Sequence, residues 1–268
     1  MRVRDGIALG VFVLAPLRLQ ADEPAEAPTI TIPDINKDSF TLPPDIKVNQ
    51  KQLRELLQSM QARKMQSLTL TGHSEIDDDI LEAFRGIQGL RELDLRGTSI
   101  DDGGMGSLAG LQGLHLLDLT DTRVGNDGVA QLSPLVHLRV LRLRNTTIDD
   151  QALRPLRGMQ ELRELDVNGT DIRGPGLEFL KSLHNLEMVD LGYTKLASSK
   201  LAPLRTLLKL QTVHLNNTQV TNQDIAALHG LPVLHFLNVS CTNVTDSGLA
   251  TFLSTPGFQA LNVCSETP

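Results

Sequence analysis

The sequence predicts an α/β solenoid, a right-handed stack of 24-residue units with a curved parallel β-sheet on its concave side and short helices on its convex side. Three observations predict it. Leu90, Leu114, Leu138, Leu162, Leu186, Leu210 and Leu234 recur every 24 residues without drift, a fixed period that signals stacked repeats. Each of these residues opens an L-x-x-L-x-L segment whose apolar positions alternate, as in Leu90, Leu93 and Leu95 or Leu234, Leu237 and Val239, which is the pattern of a strand with one buried face. A Thr then follows in every unit (Thr98, Thr122, Thr146, Thr170, Thr194, Thr218, Thr242), with Ile, Val or Leu two residues on. These Thr are read as structural, their hydroxyls pairing buried backbone groups of the neighbouring unit's turn.

Taken in chain order, residues 1–21 have the features of an export signal. Met1, Arg2 and Arg4 form a basic start, Ile7 to Leu17 is apolar but too short to span a bilayer, and Ala21 could precede a cleavage site. Asp5, Arg18 and Leu19 fit this less well, which leaves a disordered leader or a misplaced start as the other readings. Residues 22–48, rich in Pro, Asp, Glu and Thr, read as an extended linker without a fold of its own. From 49 to 64, Leu53, Leu56, Leu57 and Met60 at helical spacing predict an amphipathic helix that caps the open end of the stack. Met65 to Gly89 is a repeat lengthened by one residue, so residues 65–268 hold eight repeats and, from Phe258, Leu261 and Val263, a partial ninth strand. Either Phe252 and Phe258 close that end or its edge meets another surface.

The second half of each unit pairs Asp, Asn or Thr with helically spaced apolar residues, as in Asn222, Ile225 and Leu228, which predicts a short capped helix. Gly104, Gly128, Gly176 and Gly248 just before the first helical hydrophobe suggest close approach of the helix and strand layers.

With L-R-E-L-D-L-R-G-T-S-I at 90–100 and N-V-T-D-S-G-L at 243–249, the sequence resembles the bacterial leucine-rich-repeat proteins over about 200 residues. The resemblance implies the fold and a role in protein recognition, without naming a pathway. Similar repeats occur in the substrate-binding halves of F-box ubiquitin-ligase adaptors, to whose F-box Leu42, Pro43, Ile46 and the Leu53–Leu57 segment bear only a faint likeness.

Side chains between the buried Leu point to the concave face, so columns can be followed across units about 4.8 Å apart. The middle column includes Asp94, Asp118, Arg142, Asp166, Asp190 and His214. Arg96 and Arg144 stand on one flank, and Leu116, Val140, Met188 and Phe236 on the other. Stacked Asp repel one another unless compensated. One reading is a self-neutralising ladder that keeps the sheet soluble. Another is a partner-binding strip with Arg96, Arg142 and Arg144 as anchors and the apolar flank as its margin. A calcium site from Asp94 and Asp118 is the third, for which a flat sheet offers few oxygens. Tyr193 lies at the rim, where its ring is either a contact residue or packed over Gly192.

Cys241 and Cys264 fall on neighbouring strands near disulfide distance, and both a disulfide and two free thiols are open. No cofactor or metal site is expected, because the seven His are dispersed and Gly103-Gly104-x-Gly106 lacks the setting of a phosphate loop. Asn-x-Ser/Thr triplets such as Asn145-Thr-Thr arise from the repeat's own Thr. A formal charge of −7, from 25 basic and 32 acidic residues, argues against nucleic-acid binding. The expected function is therefore a non-catalytic scaffold for a protein partner of unknown identity, without a membrane span, located outside the cytoplasm. The alternatives are an intracellular adaptor and, more remotely, an enzyme.

Overall fold

The computed structural model describes residues 38–198, 200–250, 252 and 258–261. The expected export signal, residues 22–37 and Cys264 lie outside them.

Among the described residues, ten parallel strands form one sheet whose order follows the chain: β1 (Ser39–Thr41), β2 (Ser67–Thr69), β3 (Glu92–Asp94), β4 (Leu116–Asp118), β5 (Val140–Arg142), β6 (Glu164–Asp166), β7 (Met188–Asp190), β8 (Thr212–His214), β9 (Phe236–Asn238) and β10 (Gln259–Leu261). The 24-residue period makes the register. Leu93, Leu117, Leu141, Leu165, Val189, Val213 and Leu237 pair in one row, and all are buried. Each strand is only three residues long because the chain turns away at once. The turn needs a left-handed residue, and Gly97, Asp121, Asn145, Gly169, Tyr193, Asn217 and Cys241 supply it with φ between 53° and 71°.

Residues 38–48 are not a free linker. Phe40 pairs with Leu68 in the sheet, the Leu42 amide donates to the Thr69 carbonyl at 3.0 Å, and Leu42 and Val48 are buried. The first repeat would otherwise leave strand β2 with an open backbone edge. The buried His73 ties this segment down, with Nε2 3.2 Å from the Leu42 carbonyl and Nδ1 3.0 Å from Glu75. Only four apolar residues among Pro and Asp, Phe40, Leu42, Ile46 and Val48, anchor this segment, too few for a periodic signal.

Helix α1 (Gln50–Ala62) follows, with Asn49 as its N-cap in a reciprocal capping box: Gln52 N donates to Asn49 Oδ1 at 2.9 Å and Asn49 N to Gln52 Oε1 at 3.0 Å. Leu53, Leu56, Leu57 and Met60 are buried, and Arg54 reaches the Glu82 carbonyl at 2.9 Å, so the helix lies over the first repeat.

The convex side differs from the expectation of a short α-helix in every unit. α2 (Asp78–Leu81), α3 (Asn126–Gln131), α4 (Asn222–Ile225) and α5 (Asp246–Leu249) are joined by 3-10 turns, among them Met105–Ser107, Asp150–Leu153, Pro175–Ser182 and Ala202–Thr206. A 3-10 turn rises about 2.0 Å per residue against 1.5 Å in an α-helix, so within the same 24-residue unit it crosses the convex side as a more extended segment.

Two structural roles also differ in partner. Each column Thr bonds within its own unit, Oγ1 donating to the carbonyl three residues back, as in Thr98 to Leu95 at 2.7 Å and Thr146 to Leu143 at 2.6 Å. That carbonyl points away from the ladder, whose acceptors are its chain neighbours, so the nearest donor is the Thr itself. The glycines give room to the Asp or Asn at the start of the preceding unit's convex segment, backbone as well as side chain, rather than to the strand layer. Asp102 Oδ1 accepts from Gly125 N at 2.6 Å and Gly128 N at 2.9 Å, and Asp150 Oδ1 from Gly174 N at 3.0 Å and Gly176 N at 2.8 Å. A Cβ on Gly128 would stand 2.4 Å from Asp102 Oδ1.

At the far end Phe252 is buried and its ring stacks on Phe258 at 5.0 Å, which favours closure by these two rings. Cys241 is disulfide-bonded.

Candidate functional site: the concave face

The register places Asp94, Asp118, Arg142, Asp166, Asp190, His214 and Asn238 side by side on β3 to β9. Most of this column has a backbone task. Asp94, Asp118, Asp166, Asp190 and Asn238 each turn an Oδ1 back to the amide two residues on, at 2.8 to 3.0 Å. These Asx bonds hold the chain as it leaves the strand. Among the described residues of β3 to β9, Arg142 and His214 are the two that occupy the column without such an oxygen.

Charge on the N-terminal half is largely self-compensated. Arg96 binds Asp94 through Nη2 at 2.6 Å and lies 3.6 Å from Asp118, and Arg142 lies 3.4 Å from Asp118 and 3.5 Å from Glu164. Burial works to raise the Asp94 carboxyl, but hydrogen bonds from Arg96 outweigh it and hold Asp94 below its ordinary value. Burial, together with the neighbouring Asp190 charge, pushes Asp166 up. Because Asp94 and Asp118 are both engaged by Arg96, a calcium site there would have to displace that guanidinium. Arg144 is exposed, and among the described residues it forms no ion pair.

The C-terminal half is mostly uncharged. The His214 and Phe236 rings lie 5.2 Å apart, with Met188 and Thr212 half-buried beside them. Tyr193 is 57% exposed, at a left-handed position where its neighbours are Gly169 and Asn217. A Cβ on Gly192 would stand 2.7 Å from Asn216 Oδ1 and 2.8 Å from Asn168 Nδ2, so the two amides close in over the glycine.

The family model of a leucine-rich repeat region matches residues 65–267, three quarters of the chain. The chain belongs to the leucine-rich repeat family. Among solved structures, this leucine-rich repeat protein is similar to an internalin (inlF) from Listeria monocytogenes, at 24% identity and a TM-score of 0.64 over 75% of this chain and 55% of that one. It is also similar to an internalin C2 (inlC2) from the same organism, at 22% identity and a TM-score of 0.63 over 80% of this chain and 84% of that one. The chain thus spans little more than half of the first. At these identities the likeness shows the fold alone. No curated protein matches the chain.

Repeat solenoids expose extended concave surfaces for binding, and what distinguishes one from another is the residues that vary between units. Here the structure brings Asp94, Arg96, Asp118 and Arg142 together, Leu116 and Val140 beside them, and Met188, His214 and Phe236 at the other end. Among the described residues no three His, Cys, Asp or Glu are grouped to hold a metal, and no helix is long and apolar enough to cross a membrane. Sequence reading missed the Asx role of the Asp column. The recurrence of Asp or Asn two residues before Arg, Thr, Asn, Gly or Ser was its signal.

Proposed function

We propose that this protein is an exported, non-catalytic scaffold that binds a protein partner on its concave face, centred on Arg144, Tyr193 and the Met188, His214 and Phe236 surface. One observation carries the reading. The column positions common to the units are occupied by backbone bonds, whereas Met188, Tyr193, His214 and Phe236 depart from the repeat and are aromatic, imidazole or thioether groups of the kind that anchor interfaces, with the unpaired Arg144 beside them. Tyr193 adds weight, since a large ring at a left-handed position costs about 1 kcal/mol or more that Gly or Asn would avoid. Export is supported by the basic start and apolar stretch of residues 1–17 and by the disulfide at Cys241, which persists in an oxidising compartment.

The test is capture of partners from the native host with wild type, an R144E/Y193N variant, and a convex control, K181E. Both concave side chains are exposed and Asn is at home at the left-handed site, so the fold should hold. Partners of wild type and K181E should be lost from R144E/Y193N. Unchanged capture of every partner would overturn the concave-face reading.

A further inference from the structure

Outside the concave strip, the rim where the chain enters the sheet carries a second set of unused polar groups. The residues just before β3 to β6 are Arg91, His115, Arg139 and Arg163, one per strand, linked by backbone bonds such as His115 N to Arg91 O at 2.7 Å. The far pair is neutralised: Arg139 meets Glu161 at 3.2 Å and Arg163 meets Glu187 at 3.2 Å. The near end is not. Arg91 has no carboxylate partner among the described residues, and its Nη1 donates instead to His115 Nε2 at 2.9 Å. A guanidinium cannot accept, so that imidazole nitrogen carries a lone pair.

Two adjoining clefts meet at Arg91. One, of about 410 Å³, runs along residues 87–91 and 110–113. The other, of about 380 Å³, is lined by Arg91, Gln88, Gly89, Gln66, Gln61 and Lys64. Lys64 stands at a left-handed turn with φ 57° and, among the described residues, forms no ion pair. Gln88, Gly89 and Leu90 line the first cleft, and their successive amides have no acceptor among the described residues. In the next unit the equivalent amides of Gln112 and Leu114 are bonded, at 2.9 Å each, to Gly110 and Leu111 carbonyls. Successive N–H groups beside a left-handed glycine (Gly89, φ 84°) form an anion-binding concavity, and two uncompensated cations beside it add the charge.

We infer that this rim is an oxyanion site that takes a phosphate group between the amides of residues 88–90, the Arg91 guanidinium and the Lys64 ammonium. Amide, guanidinium and ammonium donors placed around two adjoining clefts suit a tetrahedral anion with four oxygens better than a flat carboxylate with two. On a chain of net charge −7 this is a local reversal of sign. Burial, and then the Arg139 and Arg91 charges, hold His115 below its ordinary value, with His137 adding to this and Glu161 opposing it. A bound phosphate would offset those cations and let His115 protonate more readily.

The experiment titrates inorganic phosphate into the full protein in a chloride buffer by calorimetry, while NMR follows the His115 ring. A second arm measures co-sedimentation with vesicles containing phosphatidic acid, which separates a free phosphate from the same group on a lipid. Expected is saturable binding in at least one arm, weakened about tenfold or more by R91Q, as loss of one charge-assisted bond should do. K64N should weaken it too, and R163Q, whose cation is already paired, should leave it unchanged. Phosphate or the vesicle should also raise the pH at which His115 titrates. Matching melting curves of the three variants show that the fold is intact, and K64N alone decides should R91Q fail to fold. Binding in neither arm, or binding that R91Q and K64N leave as strong as R163Q does, overturns the site.

Discussion

Replacing Thr146 by Val tests how the solenoid's inner column is held, because Val keeps the shape and removes only the hydroxyl. Thr146 is 6% exposed, and its Oγ1 donates to the Leu143 carbonyl at 2.6 Å. That carbonyl also receives the Thr146 amide, but at a longer 3.3 Å. It is therefore not left bare in the variant, and the expected loss is about 1 to 1.5 kcal/mol, a net hydrogen bond rather than a full desolvation penalty. Thr170 makes the same bond to Val167 in the next unit. Because each hydroxyl serves its own unit, T146V and T170V should add to within about 0.5 kcal/mol although the units are stacked side by side. The assay is urea unfolding of wild type, both single variants and the double variant. A coupling above about 1 kcal/mol, as hydroxyls bridging adjacent units would give, refutes the reasoning.

Three further outcomes are expected. D102A should cost about 2 kcal/mol or more by stripping the acceptor from two backbone amides, whereas D102N keeps an oxygen there and should cost under about 1 kcal/mol; equal melting temperatures would count against the inter-unit cap. Asp166 has a raised folded value, so it loses the fold stability as pH rises through that value. D166N should therefore unfold at higher urea than wild type near neutral pH, with the advantage fading below about pH 4, while D94N should show a deficit that fades in acid because Asp94 is depressed; the same sign for both variants would contradict the assignment. Pairing of Cys241 with Cys264, the only other cysteine, predicts no thiol reactive toward a labelling reagent in denaturant before reduction, and two thiols found there would exclude it.

How much was legible follows from what repeats. The row Leu93, Leu117, Leu141 and its continuation could be aligned from spacing alone, since a strict period converts sequence position into strand register. The helix after Asn49 was legible from its apolar spacing. Strand β1 was not, because Phe40 belongs to no repeat and pairs only through contact with Leu68. Hydrogen-bond partners were least legible: Thr in a turn and Asp beside a strand announce polar atoms but not which carbonyl or amide they reach. The amides of residues 88–90 have no side-chain signature at all. That rim was not singled out from the sequence, although Arg91, His115, Arg139 and Arg163 recur there at the 24-residue interval.

The register also changes what the concave charges mean for binding. From β3 to β5, Arg96 and Arg142 are each shared between two carboxylates, so a partner that recruits either must break ion pairs already made and take a cation from Asp118, which is buried. From β7 to β9 there is no such debt. Met188, His214 and Phe236 present surface that gains on leaving water, and Tyr193 is already held outward by a left-handed backbone. Arg144, exposed and unpaired among the described residues, stands at the border of the two halves. A partner approaching this face would thus be oriented by the single available guanidinium and held by the aromatic end, which is why reversal of Arg144 should alter capture more than reversal of Arg96.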